Sequence, residues 1–196
     1  MSTKTENTRA KILQATLDLL LSDDAPGTRM SDVAKRAGVS RQAVYLHFQN
    51  RADLLIAATL YLDEQLNSDA RLAPSRAASS GLERLNAFVR AWGNYIPEIY
   101  GPAKAIIAMS ATDPAAAAAW DKRMQDMREG CAAAIAALAG DGTLARCFTE
   151  TDATDLLWTM LSLANWQHAR HKCGWSQEKY VEMTVKAARR LFYVKP

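Results

Sequence analysis

Apolar residues recur at three- and four-residue steps along most of the chain, and no run alternates β-branched with polar residues, so the pattern predicts helices throughout. A first helix is expected over about Asn7 to Ser22, where Ile12, Leu13, Thr16, Leu17, Leu19 and Leu20 make a broad apolar face. Asp23-Asp24-Ala25-Pro26-Gly27 breaks it. A second helix follows from about Met30 to Ala37, with Thr28 as the expected cap and Gly38 as the stop. Ser40 caps a third, which reaches Phe48, and a fourth runs from Arg51 through Leu66 with Leu54, Leu55, Ala58, Tyr61 and Leu62 inward. From Ser68 to Gly81 the Ala, Ser, Arg and Pro74 content reads as a loop. Beyond it the pattern predicts a helix over Leu82 to Tyr95, then a short or kinked one across Pro97, Gly101 and Pro102 to about Ala111. Asp113-Pro114 starts a long helix that ends at Gly140-Asp141-Gly142. The last two run from Thr151 or Asp152 to about Cys173-Gly174, and from a Ser176 cap to about Tyr193.

Length and composition fit this reading. At 196 residues, 49% hydrophobic and 23% charged, the chain can hold a small three-helix domain and a larger helical one, divided here as 1–50 and 51–196. The net charge of +3 says little, but its distribution says more. Between Thr28 and Arg51 the cations Arg29, Lys35, Arg36, Arg41 and Arg51 face the single anion Asp32, a local balance of +4. That is either a solvated face or a contact for a polyanion. Cys131, Cys147 and Cys173 are few, odd in number and widely spaced, which suits a reducing compartment and not a disulfide framework. No stretch reaches the roughly 18 apolar residues of a membrane span, and the opening residues lack an apolar signal core, so a cytoplasmic location with no membrane partner is expected.

The most informative segment is Val33 to Phe48. Two short helices that cross steeply need a small residue where they touch, a turn residue that tolerates positive φ, and an apolar residue on the second helix facing the first. Ala34, Gly38 and Val44 supply these, with Val33, Ala37 and Val39 as buried companions. The second helix then displays Arg41, Gln42 and Tyr45. Arg suits the two acceptors of guanine, Gln the donor–acceptor pair of adenine, and Tyr a thymine methyl or a phosphate. Ser40 brings a hydroxyl and a helix N-terminus, and His47 and Arg51 lie where a phosphate backbone would pass.

Ala37-Gly38-Val39-Ser40, then Val44-Tyr45-Leu46-His47-Phe48, then Arg51 and Leu54-Leu55 resemble the N-terminal signature of the tetracycline-repressor (TetR/AcrR) family. The match covers about the first 60 residues. The resemblance implies an all-α fold of about nine helices, in which a linking helix joins the helix-turn-helix to a helical ligand-binding and dimerisation domain. It implies a ligand-responsive transcriptional regulator that binds double-stranded DNA at a near-palindromic operator, in the manner of a repressor, and that is not an enzyme. It also implies a homodimer formed through the last two helices. Arg41, Gln42 and Tyr45 fall where the family reads bases, and Tyr45, His47 and Arg51 where it holds phosphates, Arg51 replacing the usual Lys. The family's Thr before the second helix is displaced: Thr28 sits one residue early and Arg29 takes its place, so either is expected at a phosphate.

The remaining two-thirds carry large soft side chains. Trp92, Tyr95, Ile99, Trp120, Met124, Met127, Trp158, Leu161, Asn165 and Trp166 are either core or the lining of an apolar cavity for a small apolar or aromatic effector. Asn165 stands out as an amide among apolar neighbours that needs a partner, while Arg123 and Asp126 are expected at the surface. Leu156, Leu163, Tyr180, Met183, Val185, Ala187 and Leu191 offer apolar surface for pairing two chains. His168, His171 and Cys173 lack the spacing and the fourth ligand of a zinc site. No phosphate loop, nucleophile elbow or catalytic triad is visible, so no cofactor is expected. Two alternatives stand beside the ligand-responsive regulator: a DNA-binding regulator without a small-molecule ligand, and an enzyme with a vestigial helix-turn-helix.

Overall fold

The computed structural model describes residues 3–21 and 28–195; the expected break at 23–27 lies outside them. The described residues are all-α, with ten helices: α1 (Thr3–Leu20), α2 (Met30–Ala37), α3 (Arg41–His47), α4 (Arg51–Gln65), α5 (Ser68–Arg76), α6 (Gly81–Ser110), α7 (Pro114–Gly140), α8 (Glu150–Met160), α9 (Leu163–His171) and α10 (Gln177–Phe192). They form two compact units, Met1–Leu66 with Ile99–Met124, and Asn67–Glu98 with Gln125–Pro196.

The first unit packs α1 against α2 and α4, and α2 against α3. Its core holds Ile12, Leu13, Leu17 and Leu20 of α1, Val33 and Ala34 of α2, Val44 and Phe48, and Leu54, Leu55 and Ala58 of α4, joined by Ile106, Ala116 and Ala119. Gly38 sits at φ 67°, ψ 33°, the left-handed geometry that costs a side chain energy, and the Val39 N–H closes the turn on the Ala34 carbonyl at 3.0 Å. Ser40 Oγ accepts from the Ala43 N–H at 3.1 Å and starts α3. Asn50 caps α4 by accepting from the Asp53 N–H at 2.9 Å and donating to the Asp53 carboxylate at 3.0 Å.

In the second unit the buried set includes Leu85, Phe88, Val89 and Ile96 of α6, Cys131, Ile135 and Leu138 of α7, Leu157 of α8, and Tyr180, Val181, Val185 and Phe192 of α10. The loop before α8 is tied to the end of the chain. Ala145 N–H donates to the Phe192 carbonyl at 2.8 Å, Val194 N–H to the Thr143 carbonyl at 2.9 Å, and the Phe148 and Phe192 rings lie 5.4 Å apart.

Three helix expectations are corrected. The segment after α4 is not a loop: Asn67 takes φ 51° and α5 follows, passing through Pro74. The expected interruption at Pro97 does not occur, and α6 is continuous for 30 residues. Pro97 has no N–H to offer the Gly93 carbonyl four residues back. That carbonyl instead accepts from Gln177 Nε2 at 2.8 Å, so a side chain from α10 supplies the missing donor. Conversely, the helix expected over 151–173 is two. It breaks at Leu161-Ser162, where Ser162 is extended and caps α9 by accepting from the Asn165 N–H at 3.3 Å. The break leaves carbonyls at the end of α8, and two are claimed by side chains: Trp92 Nε1 donates to Leu161 at 2.9 Å and Asn165 Nδ2 to Thr159 at 2.6 Å.

Candidate nucleic-acid interface

Helix α3 is short, and its sides are sharply differentiated. Val44 is fully buried, Ala43 and His47 are half-buried, and Arg41, Gln42, Tyr45 and Leu46 are exposed. Arg41 and Tyr45 are coupled. The guanidinium lies 5.5 Å from the centre of the Tyr45 ring and donates to its hydroxyl at 3.4 Å. That hydrogen bond holds the Arg41 guanidinium above its ordinary pKa. A groove of about 560 Å³ runs beside this pair, lined by Arg29, Met30, Ser31, Arg41, Tyr45, Gln49, Asn50 and Arg51. Arg29 occupies the N-cap position of α2 in extended geometry and makes no side-chain cap bond, so no side-chain oxygen caps the first turn, while the Asp32 N–H donates to the Arg29 carbonyl at 3.0 Å. Cations and a helix N-terminus around one groove are the chemistry that takes a phosphate.

The residues singled out from the sequence therefore separate. Arg29, Arg41 and Tyr45 line one groove, while Ser40 and Gln42 are exposed on the same short helix or at its cap. His47 is half-buried beside the Phe48 ring. Thr28 is corrected: it is not the cap of α2 but is 4% exposed, with its hydroxyl buried and without a partner, and so cannot present that hydroxyl to a phosphate. Arg51 touches the groove, but its guanidinium is turned to internal use. It pairs with the Asp113 carboxylate, donates through Nε to the Thr28 carbonyl, and lies 3.6 Å from Met109 Sδ. Burial pulls the Arg51 guanidinium below its ordinary pKa. Asp113 is itself the cap of α7, accepting from the Ala115 N–H at 2.9 Å. Ser31, Gln49 and Asn50 are lining residues that the pattern did not single out. Asn50 was findable as a polar residue four before the Leu54-Leu55 pair, in capping position.

The expected effector residues fall in both units, Ile99, Trp120 and Met124 in the first and the other seven in the second. Tyr95, Ile99, Met127, Leu161 and Trp166 are buried, and Trp92, Trp120, Met124 and Trp158 half-buried. The polar handles of three are already engaged. Trp92 bonds Leu161, Trp166 Nε1 donates to Gln177 Oε1 at 2.9 Å, and Asn165, corrected from an interior amide to an exposed one, bonds Thr159. Arg123 is not at the surface either: it forms an ion pair with Asp63 of α4, donating through a second nitrogen at 3.0 Å. A second concavity, of about 390 Å³, has an alanine floor, Ala132, Ala133 and Ala136, and includes none of the expected residues. Among the described residues there is no cluster of three metal-ligating side chains, and no helix is long and apolar enough to cross a membrane.

Residues 12–58, which contain α2, α3 and the Gly38 turn, match the family model for bacterial regulatory proteins, tetR family. Over this segment the chain is similar to the tetR family. The matching model describes bacterial regulatory proteins. Over 70 residues this chain is 36% identical to the HTH-type transcriptional regulator TtgR of Pseudomonas putida, a stretch that is 36% of the chain and 33% of TtgR. The chain spans less than half the length of the curated relatives it matches. At the level of fold the likeness is wider. A TetR-family transcriptional regulator from Rhodococcus sp. superposes with a TM-score of 0.74 at 21% identity, covering 95% of this chain and 98% of that one. NalD, the secondary repressor of the MexAB-OprM multidrug efflux pump in Pseudomonas aeruginosa, superposes with a TM-score of 0.71 at 21% identity, covering 97% and 98%.

Proposed function

We propose that this protein is a tetR-family regulator, a cytoplasmic, homodimeric repressor that binds a near-palindromic operator through α3 and releases it on binding a small apolar or aromatic effector. The observation that carries the DNA side is the outward set Arg41, Gln42 and Tyr45 on a capped helix next to the cationic groove. In this reading Arg41 and Gln42 face base edges, and Arg29, Ser40, Tyr45 and His47 hold the backbone. Residues 1–50 serve DNA and 51–196 serve pairing and ligand. Pairing is supported by α10, where Met183 and Leu191 are exposed and Ala187 is half-buried, at four-residue steps along one face. Leu156, Met160 and Leu163, half-buried on α8 and α9, extend the apolar surface on helices that pack against α10.

The effector reading rests on Tyr95, Met127, Trp158, Leu161 and Trp166, apolar bodies with few free polar groups, which suit an occupant recognised by shape and burial. The engagement of Trp92, Asn165 and Trp166 in internal bonds equally favours a regulator without a small-molecule ligand. One experiment tests both layers. Selection from a random duplex pool is expected to return an inverted repeat, and a hydrophobic compound that raises Tm is expected to release it. A pool that returns no repeat refutes dimeric operator binding. A repeat that no stabilising compound releases favours the ligand-free regulator. Met183→Glu is expected to shift the dimer to monomer in light scattering, and an unchanged mass refutes pairing through α10.

A further inference from the structure

Leu46 is 81% exposed, the most exposed large apolar side chain among those described, and it sits in the last turn of the helix assigned to DNA. Its position on that helix follows from Val44, which is fully buried. At about 100° per residue, positions 42 and 46 lie on either side of the pole opposite Val44, each about 160° from it and about 40° from one another. Arg41 and Tyr45 fall together on one flank, where they bond each other. The half-buried Ala43 and His47 fall on the other flank. The outermost line of α3 is therefore Gln42 and Leu46, one amide and one isobutyl group, one turn apart.

We infer that Leu46 is a base-reading residue that packs on the 5-methyl group of a thymine, beside an adenine whose N6 and N7 are taken by Gln42. This rests on the operator reading above and sharpens it. A protein partner would have to bury Arg41 and Gln42 to reach Leu46, in a segment whose local balance is +4. The major groove instead offers methyl groups set among hydrogen-bonding edges, and is wide enough for a helix. The thymine contact also moves from Tyr45 to Leu46, because the Tyr45 ring is already covered by Arg41.

The test uses the full chain and the duplex selected from the random pool, with each thymine replaced in turn by deoxyuridine in both half-sites, and Kd read by fluorescence anisotropy at one salt concentration. At one thymine per half-site the wild type is expected to lose about fourfold per half-site, the effect of one methyl group. Leu46→Ala is expected to bind more weakly and to be indifferent to that same replacement, while Leu46→Met keeps the sensitivity. The side chain is nearly free of contacts, so both variants fold as the parent does, and matching circular dichroism and Tm confirm it. If every deoxyuridine replacement weakens wild type and Leu46→Ala equally, the assignment is overturned while operator binding stands. If the pool yields no preferred duplex, operator binding falls and this assignment with it.

Discussion

The ion pair between Arg51 and Asp113 gives the most discriminating prediction. Arg51 begins α4, immediately after the turn that follows α3, and Asp113 caps α7. Their side chains are 19% and 23% exposed. Removing one partner of a fully buried pair costs about 3–5 kcal/mol, and an exposed pair contributes about 0–1 kcal/mol. Four-fifths burial, with the Thr28 carbonyl retained as a second acceptor, places Asp113→Asn at about 2 kcal/mol. Asparagine keeps the cap, because its amide oxygen accepts from the Ala115 N–H as the carboxylate does. Urea unfolding of Arg51→Gln, Asp113→Asn and the double variant forms a cycle, with an expected coupling of about 1–2 kcal/mol. The same proteins are then titrated with operator at several salt concentrations. A side chain that neutralises a phosphate contributes about one unit to the slope of log K against log salt. With Arg51 committed to Asp113, Arg51→Gln is expected to leave the slope unchanged while lowering stability. Additive unfolding energies, or a slope flatter by about one unit in Arg51→Gln alone, would refute the pairing as the role of Arg51.

Three further outcomes are expected. Gln177→Leu strands the Gly93 carbonyl and the Trp166 indole N–H together and should cost about 2–4 kcal/mol in urea unfolding; a loss under about 0.5 kcal/mol would mean that neither bond matters. Gly81→Ala should cost about 1–3 kcal/mol, because a Cβ there would stand 2.6 Å from the Ala137 carbonyl carbon, and an unchanged Tm would contradict that close approach. Cys131 is buried and its thiol is pushed up to about 12, so Ellman's reagent at pH 8 should titrate two thiols in the native protein, the exposed Cys147 and Cys173, and a third only after unfolding. Because the folded pKa is raised, the contribution of Cys131 is complete below the ordinary thiol range and is lost as pH rises toward 12. Cys131→Ala should flatten that alkaline decline.

The first sixty residues were legible because their signals are local. Gly38 must supply positive φ, Ser40 must cap, and Val44 must face inward, each within a few residues of its cause. The errors lie where the deciding partner is distant in sequence. Pro97 reads as a helix break until Gln177, eighty residues on, donates to the orphaned carbonyl. Thr28 reads as a cap, yet Arg51 and the buried environment draw it inside. Asn165 reads as an interior amide because the break at Leu161 carries no Gly or Pro to announce it; Ser162 was the available sign. Leu46 is not legible as an outward residue because periodicity marks apolar residues as inward, and only the geometry around Val44 turns this one out.

The bond from Gln177 to Gly93 also constrains the order in which this sequence can change. With proline at 97, losing Gln177 exposes an unsatisfied carbonyl inside a helix. With alanine at 97, the restored N–H serves that carbonyl from within α6, and one of the two reasons for keeping Gln177 is gone, leaving only the Trp166 indole. Substitution at 97 before 177 is therefore the gentler path, and the reverse order passes through a less stable intermediate. Two positions that never meet in the linear chain form a sign-dependent pair, and descendants of this protein that have replaced the proline are where Gln177 should first be found drifting.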